Sequence, residues 1–432
     1  MTEKHVLVLG AYGLIGAEVV SALRRAGHRV TGAGRNSRAA HRRLPGVEFL
    51  TLDMAQTTTP EAWHMLQGFD AVVNCAGALQ DGPDTDLEAL HHHALAALGT
   101  AACRSNTRIV QISAVGASPD SPIPFLASKA RGDVALLASG AEATVLRPGL
   151  VLARSAYGGT TLIRMLASVP LIQPLALPEA KLQSVGTADI CTAVLRAIET
   201  DDLLGQQLDL VETVPQSLPQ IIAAHRHALG LSPARATFSL PGWMIPITAK
   251  SADLLGRLGW RSPLRNTAIS VLKNAPVGDP AQWSRLASAV PTLEESLEQL
   301  QLGPEHRAQA RAALLMPLCV ATLALFWGFS GLMGVLSLPA AMRTLLDIGW
   351  NAGLAKLSVL FWSAIDILLA SALLYRPWAQ KAALAMAGVS AIYLVMGTVV
   401  TPHLWADPLG PLAKIGPALM LALVTAHLLE ER

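Results

Sequence analysis

Between residues 312 and 335 the chain runs for 24 positions without a formal charge. At 1.5 Å per residue that is enough to cross a hydrocarbon core of about 30 Å. Nothing else in the sequence limits the possible folds so strongly, because a backbone in lipid must satisfy its own polar groups, and a single segment does that only as a helix. Three further apolar stretches follow at 354–375, 382–400 and 409–429, separated by segments carrying Pro339, Pro377, Pro402 and Pro408. The expectation is a four-helix transmembrane bundle. Charge supports it: Asp, Glu, Lys and Arg number 11 in the last 121 residues and 53 in the first 311. A hydrophobic content of 52% excludes a disordered or wholly cytosolic chain, and a net charge of +2 offers no basic field for nucleic acid. Cys75, Cys103, Cys191 and Cys319 stand far apart and form no metal spacing, so they read as reduced, buried thiols.

Flanking cations predict orientation. His306, Arg307 and Arg311 precede the first span, and Arg376 and Lys381 occupy the short loop between the second and third. Arg343, Asp347 and Asp407 fall on the other side. No signal peptide precedes the first strand. The prediction is therefore a bacterial-type inner membrane protein with the N-terminal domain and both termini in the cytoplasm. Inside the spans, Asp366 and Lys414 are costly residues. Asp366, twelve residues into its span, reads as a partner for Lys414, a proton site or a ligand contact, or else as a water-bridged acid at a helix interface. Lys356 snorkels to the interface. Gly328, Gly331 and Gly334, three apart, suit close helix packing.

At the other end, residues 6–9 read as a buried strand running into Gly10-Ala11-Tyr12-Gly13-Leu14-Ile15-Gly16, then a helix to Ala26 and a second strand at 28–32. Glycines in that setting turn the chain tightly, let the backbone approach a pyrophosphate, and place the anion on a helix N-terminus. After the second strand, where an acid would hold the ribose of NAD, the chain has Arg35 and Arg38 instead. Arginine there pairs with a 2′-phosphate, so NADP(H) is the preferred cofactor and NAD(H) remains possible. Further strands are predicted at 47–52, 71–74, 108–113 and 143–146, the rhythm of a doubly wound parallel sheet, an α/β Rossmann-like fold. Ligands lie beyond the carboxyl ends of such strands, where Asp53, Asn74 to Gly77, Ser113 and Arg147 to Gly149 fall.

These residues resemble a known family. The GxxGxxG loop, Leu52-Asp53, Asn74-Cys75-Ala76-Gly77, Ile112-Ser113-Ala114-Val115-Gly116-Ala117, Ser128-Lys129, Leu146-Arg147-Pro148-Gly149 and Thr187-Ala188-Asp189-Ile190 look like an atypical, extended short-chain dehydrogenase/reductase. More narrowly they resemble the branch containing the accessory subunit of respiratory complex I and its bacterial relatives. Hydropathy and layout make the C-terminal spans similar to the DoxX-like membrane domain fused to bacterial members of that branch. The resemblance implies a cofactor site made of Gly10, Tyr12, Gly13, Leu14, Ile15, Gly16, Arg35, Asp53, Asn74, Ala76, Gly77, Lys129 and Pro148. It also implies three domains: an NAD(P)-binding domain over 1–204, a smaller substrate lobe over 205–304, and a membrane domain over 305–432.

The family's usual chemistry pairs tyrosine with a lysine four residues on and an upstream serine. Lys129 and Ser113 match; the tyrosine position is Phe125, which has no proton to give. Tyr157 is the nearest alternative donor in sequence, giving Ser113, Lys129 and Tyr157 as the candidate catalytic residues. Alternatively, an electrophilic acceptor such as a quinone takes its proton elsewhere, or the domain binds NADPH without turnover. His91-His92-His93 do not predict a metal centre, since consecutive helical residues point about 100° apart. An amphipathic helix over 87–103, with Asp84, Asp86 and Glu88 at its start, accounts for them, and the alternative is one histidine near the cofactor end. Trp243, Trp260 and Trp283 read as core, as walls of an apolar pocket or as contacts to the bilayer surface. The leading expectation is a membrane-anchored oxidoreductase with an apolar, quinone or lipid-derived substrate. The alternative is a non-catalytic assembly or sensing subunit of a membrane protein complex.

Overall fold

A computed structural model describes residues 2–82, 85–260, 266–274, 276–408 and 410–430. Asp84 and Leu409, both named above, lie outside the described residues. The chain divides into two compact units, one of residues 1–249 and 263–307, the other of residues 250–262 and 308–432.

The first unit is built on β1 (His5–Leu9), β2 (Arg29–Gly34), β3 (Glu48–Thr51), β4 (Ala71–Asn74), β5 (Arg108–Ile112) and β6 (Ala143–Pro148). Short strands β7 (Leu150–Leu152), β8 (Ile172–Leu175), β9 (Lys181–Leu182) and β10 (Ser184–Gly186) follow, then β11 (Gln207–Leu210), β12 (Gln216–Ser217) and β13 (Ala236–Ser239). Seven strands form one parallel sheet in the order β11-β6-β5-β4-β1-β2-β3. The order reverses between β1 and β4, which opens a crevice at their carboxyl ends. The other strands pair in twos: β7 with β10, β8 with β13, β9 with β12.

The helices of this unit are α1 (Leu14–Arg25), α2 (Ser37–Arg43), α3 (Ala94–Ser105), α4 (Pro124–Ala138), α5 (Gly159–Ala167), α6 (Thr187–Glu199) and α7 (Leu218–Ala228), with α8 (Met244–Arg257) leading out of it and α9 (Asn266–Asn274), α10 (Ala281–Leu286) and α11 (Leu293–Leu300) after its return. Alternation along β1 explains the layering. Val6 and Val8 point to one face, among Val19, Leu23, Ile190 and Val194 of α1 and α6. Leu7 and Leu9 point to the other, among Leu95, Leu98 and Leu136 of α3 and α4. Period-two side chains, apolar on both faces, produce a strand covered on both sides. Helix α3 is preceded by a π-helical turn over Ala89–His93, which shifts the histidines from ordinary helical spacing. Strand β11 pairs with β6, so the sheet takes its seventh strand from beyond residue 204, inside the segment read above as the closing lobe.

In the second unit, α12 (Pro304–Leu336), the short α13 (Leu338–Leu346), α14 (Ala352–Leu374), α15 (Arg376–Val400) and α16 (Pro411–Glu430) follow in order. Four of these are long and apolar enough to cross a membrane. Their core holds Leu323, Trp327, Leu373, Ala383, Met386 and Ala422. Leu325, Phe329 and Val399 stand outward at 73%, 66% and 74% exposure, an apolar exterior that suits lipid and not water. This is the architecture of a multi-pass membrane protein. Asp366 is not joined to Lys414: its carboxylate receives hydrogen bonds from Ser330 and Tyr393, while Lys414 is exposed in the first turn of α16. Residues three and four apart on one helix are neighbours, but which helix faces which is decided by packing, so of the alternatives for Asp366 the Lys414 partner is the one that does not hold.

Candidate functional site

Strand β1 ends at Gly10, whose φ of +68° is a conformation that favours glycine. A Cβ there would stand 2.9 Å from the backbone of Ala76. Gly16 is tighter, since its Cβ would lie 2.3 Å from the Gly10 carbonyl oxygen. The absence of side chains thus seats the first turn of α1 against the loop. The Gly13 amide donates to the Gly10 oxygen at 2.9 Å, and Gly13 caps α1 with no side chain, which leaves the amides of Leu14, Ile15 and Gly16 as helix-terminal donors. Such a terminus carries partial positive charge and is suited to an anion.

Around it stand the other predicted cofactor residues. Tyr12 lies over Gly34 at the end of β2 and packs on Phe49, ring centroids 6.1 Å apart. Arg35 follows directly and is exposed. Asp53, just after β3, caps a short turn by accepting from the Ala55 amide at 3.2 Å. Asn74 is buried; its amide donates to Gln111 at 2.7 Å and its oxygen accepts from the Ala76 amide at 3.1 Å, fixing the loop after β4. Pro148 is buried at the end of β6 and its carbonyl accepts from the Val115 amide.

Gly77 leads the same loop past Lys129: a Cβ on it would lie 3.6 Å from the ammonium nitrogen and 3.5 Å from His91 Nε2. Lys129 is buried on α4 and donates to the Ile112 carbonyl at 2.8 Å. Burial holds its ammonium below the usual lysine range, opposed by the charge of Asp133. Ser113 donates to Asp133, one turn beyond Lys129. Burial raises the Asp133 carboxyl above its ordinary value, opposed by that hydrogen bond. The Phe125 ring sits between His91, 5.8 Å away edge-on, and the Lys129 nitrogen at 5.9 Å. Tyr157 stands apart. It is 63% exposed, and among the described residues no hydrogen bond or ring contact joins it to Ser113 or Lys129.

Sequence reasoning passed over one group here and left another unassigned among three histidines. Asp133 is the first; its signal was available, four residues after Lys129 on the same helical face. The other is His91, which accepts from the Ala78 amide at 3.2 Å and meets Ser128 Oγ at 2.9 Å. Burial pushes its imidazole down to about 2, so it is neutral and holds the post-β4 loop against α4. His92, His93 and Glu88 offer ligand atoms within 4.8 Å of one another. Glu88 is ion-paired with Arg131 and with His92, which occupies that carboxylate.

The segment that returns from the second unit closes the far side. A Cβ on Gly116 would lie 2.1 Å from Pro276, and Arg147 and the Asp279 amide both bond Asp209, at 2.6 and 2.9 Å. Buried Glu212 accepts from the Ser184 amide and hydroxyl and from the Leu293 amide.

Comparison with known proteins agrees with this fold. Residues 6–134 match the NAD dependent epimerase/dehydratase family, and residues 324–423 match the DoxX-like family. A curated relative is the mitochondrial NADH dehydrogenase [ubiquinone] 1 alpha subcomplex subunit 9 of Arabidopsis thaliana, 26% identical over 203 residues, 45% of this chain and 50% of that protein. The chain thus spans about half the length of that relative. Two solved structures share the fold. The Bordetella bronchiseptica enzyme WbmH in complex with NAD+ is 17% identical with a TM-score of 0.51, covering 71% of this chain and 99% of that one. The Escherichia coli NADPH-dependent quinone oxidoreductase QOR2 complexed with NADPH is 20% identical with a TM-score of 0.51, covering 68% and 99%. The chain joins an N-terminal NAD(P)-binding domain of the epimerase/dehydratase, extended short-chain dehydrogenase type, distantly homologous to a complex I subunit, to a C-terminal DoxX-like membrane domain.

Proposed function

We propose that the protein is a membrane-anchored, NADP(H)-binding oxidoreductase whose substrate is an apolar carbonyl compound of the membrane, a quinone or a lipid-derived carbonyl. The observation that carries this reading is the glycine cradle at the uncapped N-terminus of α1, in the same crevice as buried Lys129 and Ser113. NADP(H) is favoured over NAD(H) because β2 runs into Arg35 and no carboxylate follows.

Bound dihydronicotinamide supplies a hydride. The chain's own residues do the rest. Gly10 to Gly16 bind the pyrophosphate, Arg35 pairs with the 2′-phosphate, and Lys129 holds the nicotinamide ribose. Ser113 orients the substrate oxygen, its hydroxyl anchored by Asp133. Phe125 forms a wall and gives no proton, which restricts the reaction to acceptors that take their proton from water or another group. The tether to four spans supports a membrane-borne acceptor. In this reading the nucleotide domain and both termini are cytoplasmic, on the side of Arg311, Arg376 and Lys381. A Gln380→Cys variant in a background without native cysteines should resist a membrane-impermeant thiol reagent added to intact cells; prompt labelling reverses the orientation.

Purified protein given NADPH and a panel of quinones and long-chain aldehydes tests the activity. The expected result is oxidation of NADPH with a quinone or a lipid-derived aldehyde. Tight NADPH binding with no oxidation above background sinks it and leaves the second reading, a non-catalytic assembly or sensing subunit. That reading is favoured by Phe125 and by likeness to a complex I subunit.

A further inference from the structure

We infer that Asp366, Tyr393, Trp327 and Trp362 form an intramembrane site for a lipophilic organic cation, reached from the lipid side of the second unit. This rests on no part of the nucleotide site.

Asp366 is buried on α14, fifteen residues into a 23-residue helix. Ser330 Oγ of α12 donates to its Oδ2 at 2.9 Å, and the Tyr393 hydroxyl of α15 donates to its Oδ1 at 3.0 Å. Both donors are neutral. Among the described residues no Lys, Arg or His stands within ion-pair distance of Asp366. The cations nearest along the chain, Lys356 and Arg376, are each ten residues away, about 15 Å along a helix axis. Ionised there, Asp366 would have no counter-charge within ion-pair distance among the described residues.

What surrounds it is aromatic. The Tyr393 ring meets Trp362 edge-on at 5.1 Å and stacks on Trp327 at 6.4 Å, the planes 20° apart. The π-faces of Trp and Tyr attract a positive charge, most strongly once water is excluded. A hard metal cation would need six or more oxygen ligands, and the cluster offers one carboxylate and two hydroxyls. An acid flanked by aromatic rings suits a cation with an apolar body.

Access follows from the packing of α12. A Cβ on Gly331 would lie 2.6 Å from the Ser363 carbonyl oxygen, and one on Gly334 would lie 2.2 Å from Ser363 Oγ. These glycines bring α12 close enough for Ser330 to reach the acid. Ser330 is itself exposed, as are its chain neighbour Phe329 and, next to Asp366 on α14, Ile367 and Leu368. The edge of the cluster therefore opens on the unit's apolar exterior.

The test uses the full-length protein in phosphatidylcholine nanodiscs titrated with tetraphenylphosphonium, read by tryptophan quenching and by equilibrium dialysis. Saturable binding is expected, weakened about tenfold or more by Asp366→Asn and a few-fold by Trp362→Leu. Tetraphenylborate, an anion of similar shape, should show no saturable binding. Should Asp366→Asn fail to elute as the wild type does, Tyr393→Phe and Trp362→Leu decide between the outcomes. No saturable phosphonium binding, equal binding of the borate, or unchanged affinity in the folded variants overturns the proposal.

Discussion

Glycine does different work in the two units. In the nucleotide-binding unit, Gly10 and Gly16 let backbone meet backbone, and the product is a polar concavity at a helix end. In the membrane unit, Gly331 and Gly334 let one helix side lie against another, and the product is a close contact that delivers one hydroxyl to a buried acid. Both units then hold an ionisable group out of water with few partners: Lys129 with the Ile112 carbonyl and nearby Asp133, Asp366 with two hydroxyls. The first has an opposite charge one helical turn away, and the second has none within ion-pair distance among the described residues. A soluble domain can place its counter-charge one helical turn away. A lipid-embedded bundle, poor in charged residues, leaves that place to whatever enters.

The sharpest way to break this comparison is Gly16→Val. A branched side chain meeting the Gly10 carbonyl should lower NADPH affinity by about a hundredfold or more, since overpacking of roughly 1–3 kcal/mol adds to the displaced helix terminus; fluorescence titration reads it, and near-wild-type affinity would falsify the cradle. In the membrane unit, Gly334→Leu should destabilise helix packing by about 1–3 kcal/mol, seen as a lower melting temperature in detergent with NADPH affinity kept. Loss of both together would show that the units do not fold independently. Arg35→Ala should weaken NADPH by about tenfold while sparing NADH; equal losses contradict the 2′-phosphate contact.

The smallest effect concerns pH. His91 titrates near 6.5 when unfolded and is pushed down to about 2 by burial in the fold. Below pH 6.5 the unfolded chain therefore binds one proton that the folded chain does not, and stability falls as pH falls. His91→Gln should flatten the acid side of the denaturation profile of the nucleotide-binding unit by one proton's slope. An unchanged slope would mean that His91 is not held neutral.

Most of the fold was legible because its signals are local. Six sheet strands appear as short apolar runs, and each of the four spans as a long one. Strand β11 was misplaced because Leu208-Asp209-Leu210 says nothing of its partner; only pairing with β6, some sixty residues earlier, makes it part of the sheet. Of the site, the glycine loop, Lys129, Ser113 and the missing phenol at Phe125 are visible as spacing. Asp133 stands at a readable spacing from Lys129 and was passed over, whereas His91 is not visible, because its role arises from packing between α4 and the loop after β4. The π turn over Ala89–His93 hid the inward direction of His91, since ordinary helical spacing gives another angle. Asp366 announced itself by its cost in lipid, whereas its partners on two other helices could not be read along the chain.

One contact near the end of α8 bears on biogenesis. Trp260 donates its indole proton to the Leu374 carbonyl at 2.6 Å and lies beneath the Arg376 guanidinium, within the membrane unit, although nearly fifty residues of the nucleotide-binding unit follow it in the chain. The polypeptide therefore passes between the units three times. During synthesis this tryptophan emerges more than a hundred residues before its acceptor does, so this corner of the membrane unit stays open until the second span has left the ribosome. A chain cut at residue 307 would carry an orphaned piece of the bundle, with its indole and apolar helix end turned to solvent, and would not be a clean soluble domain.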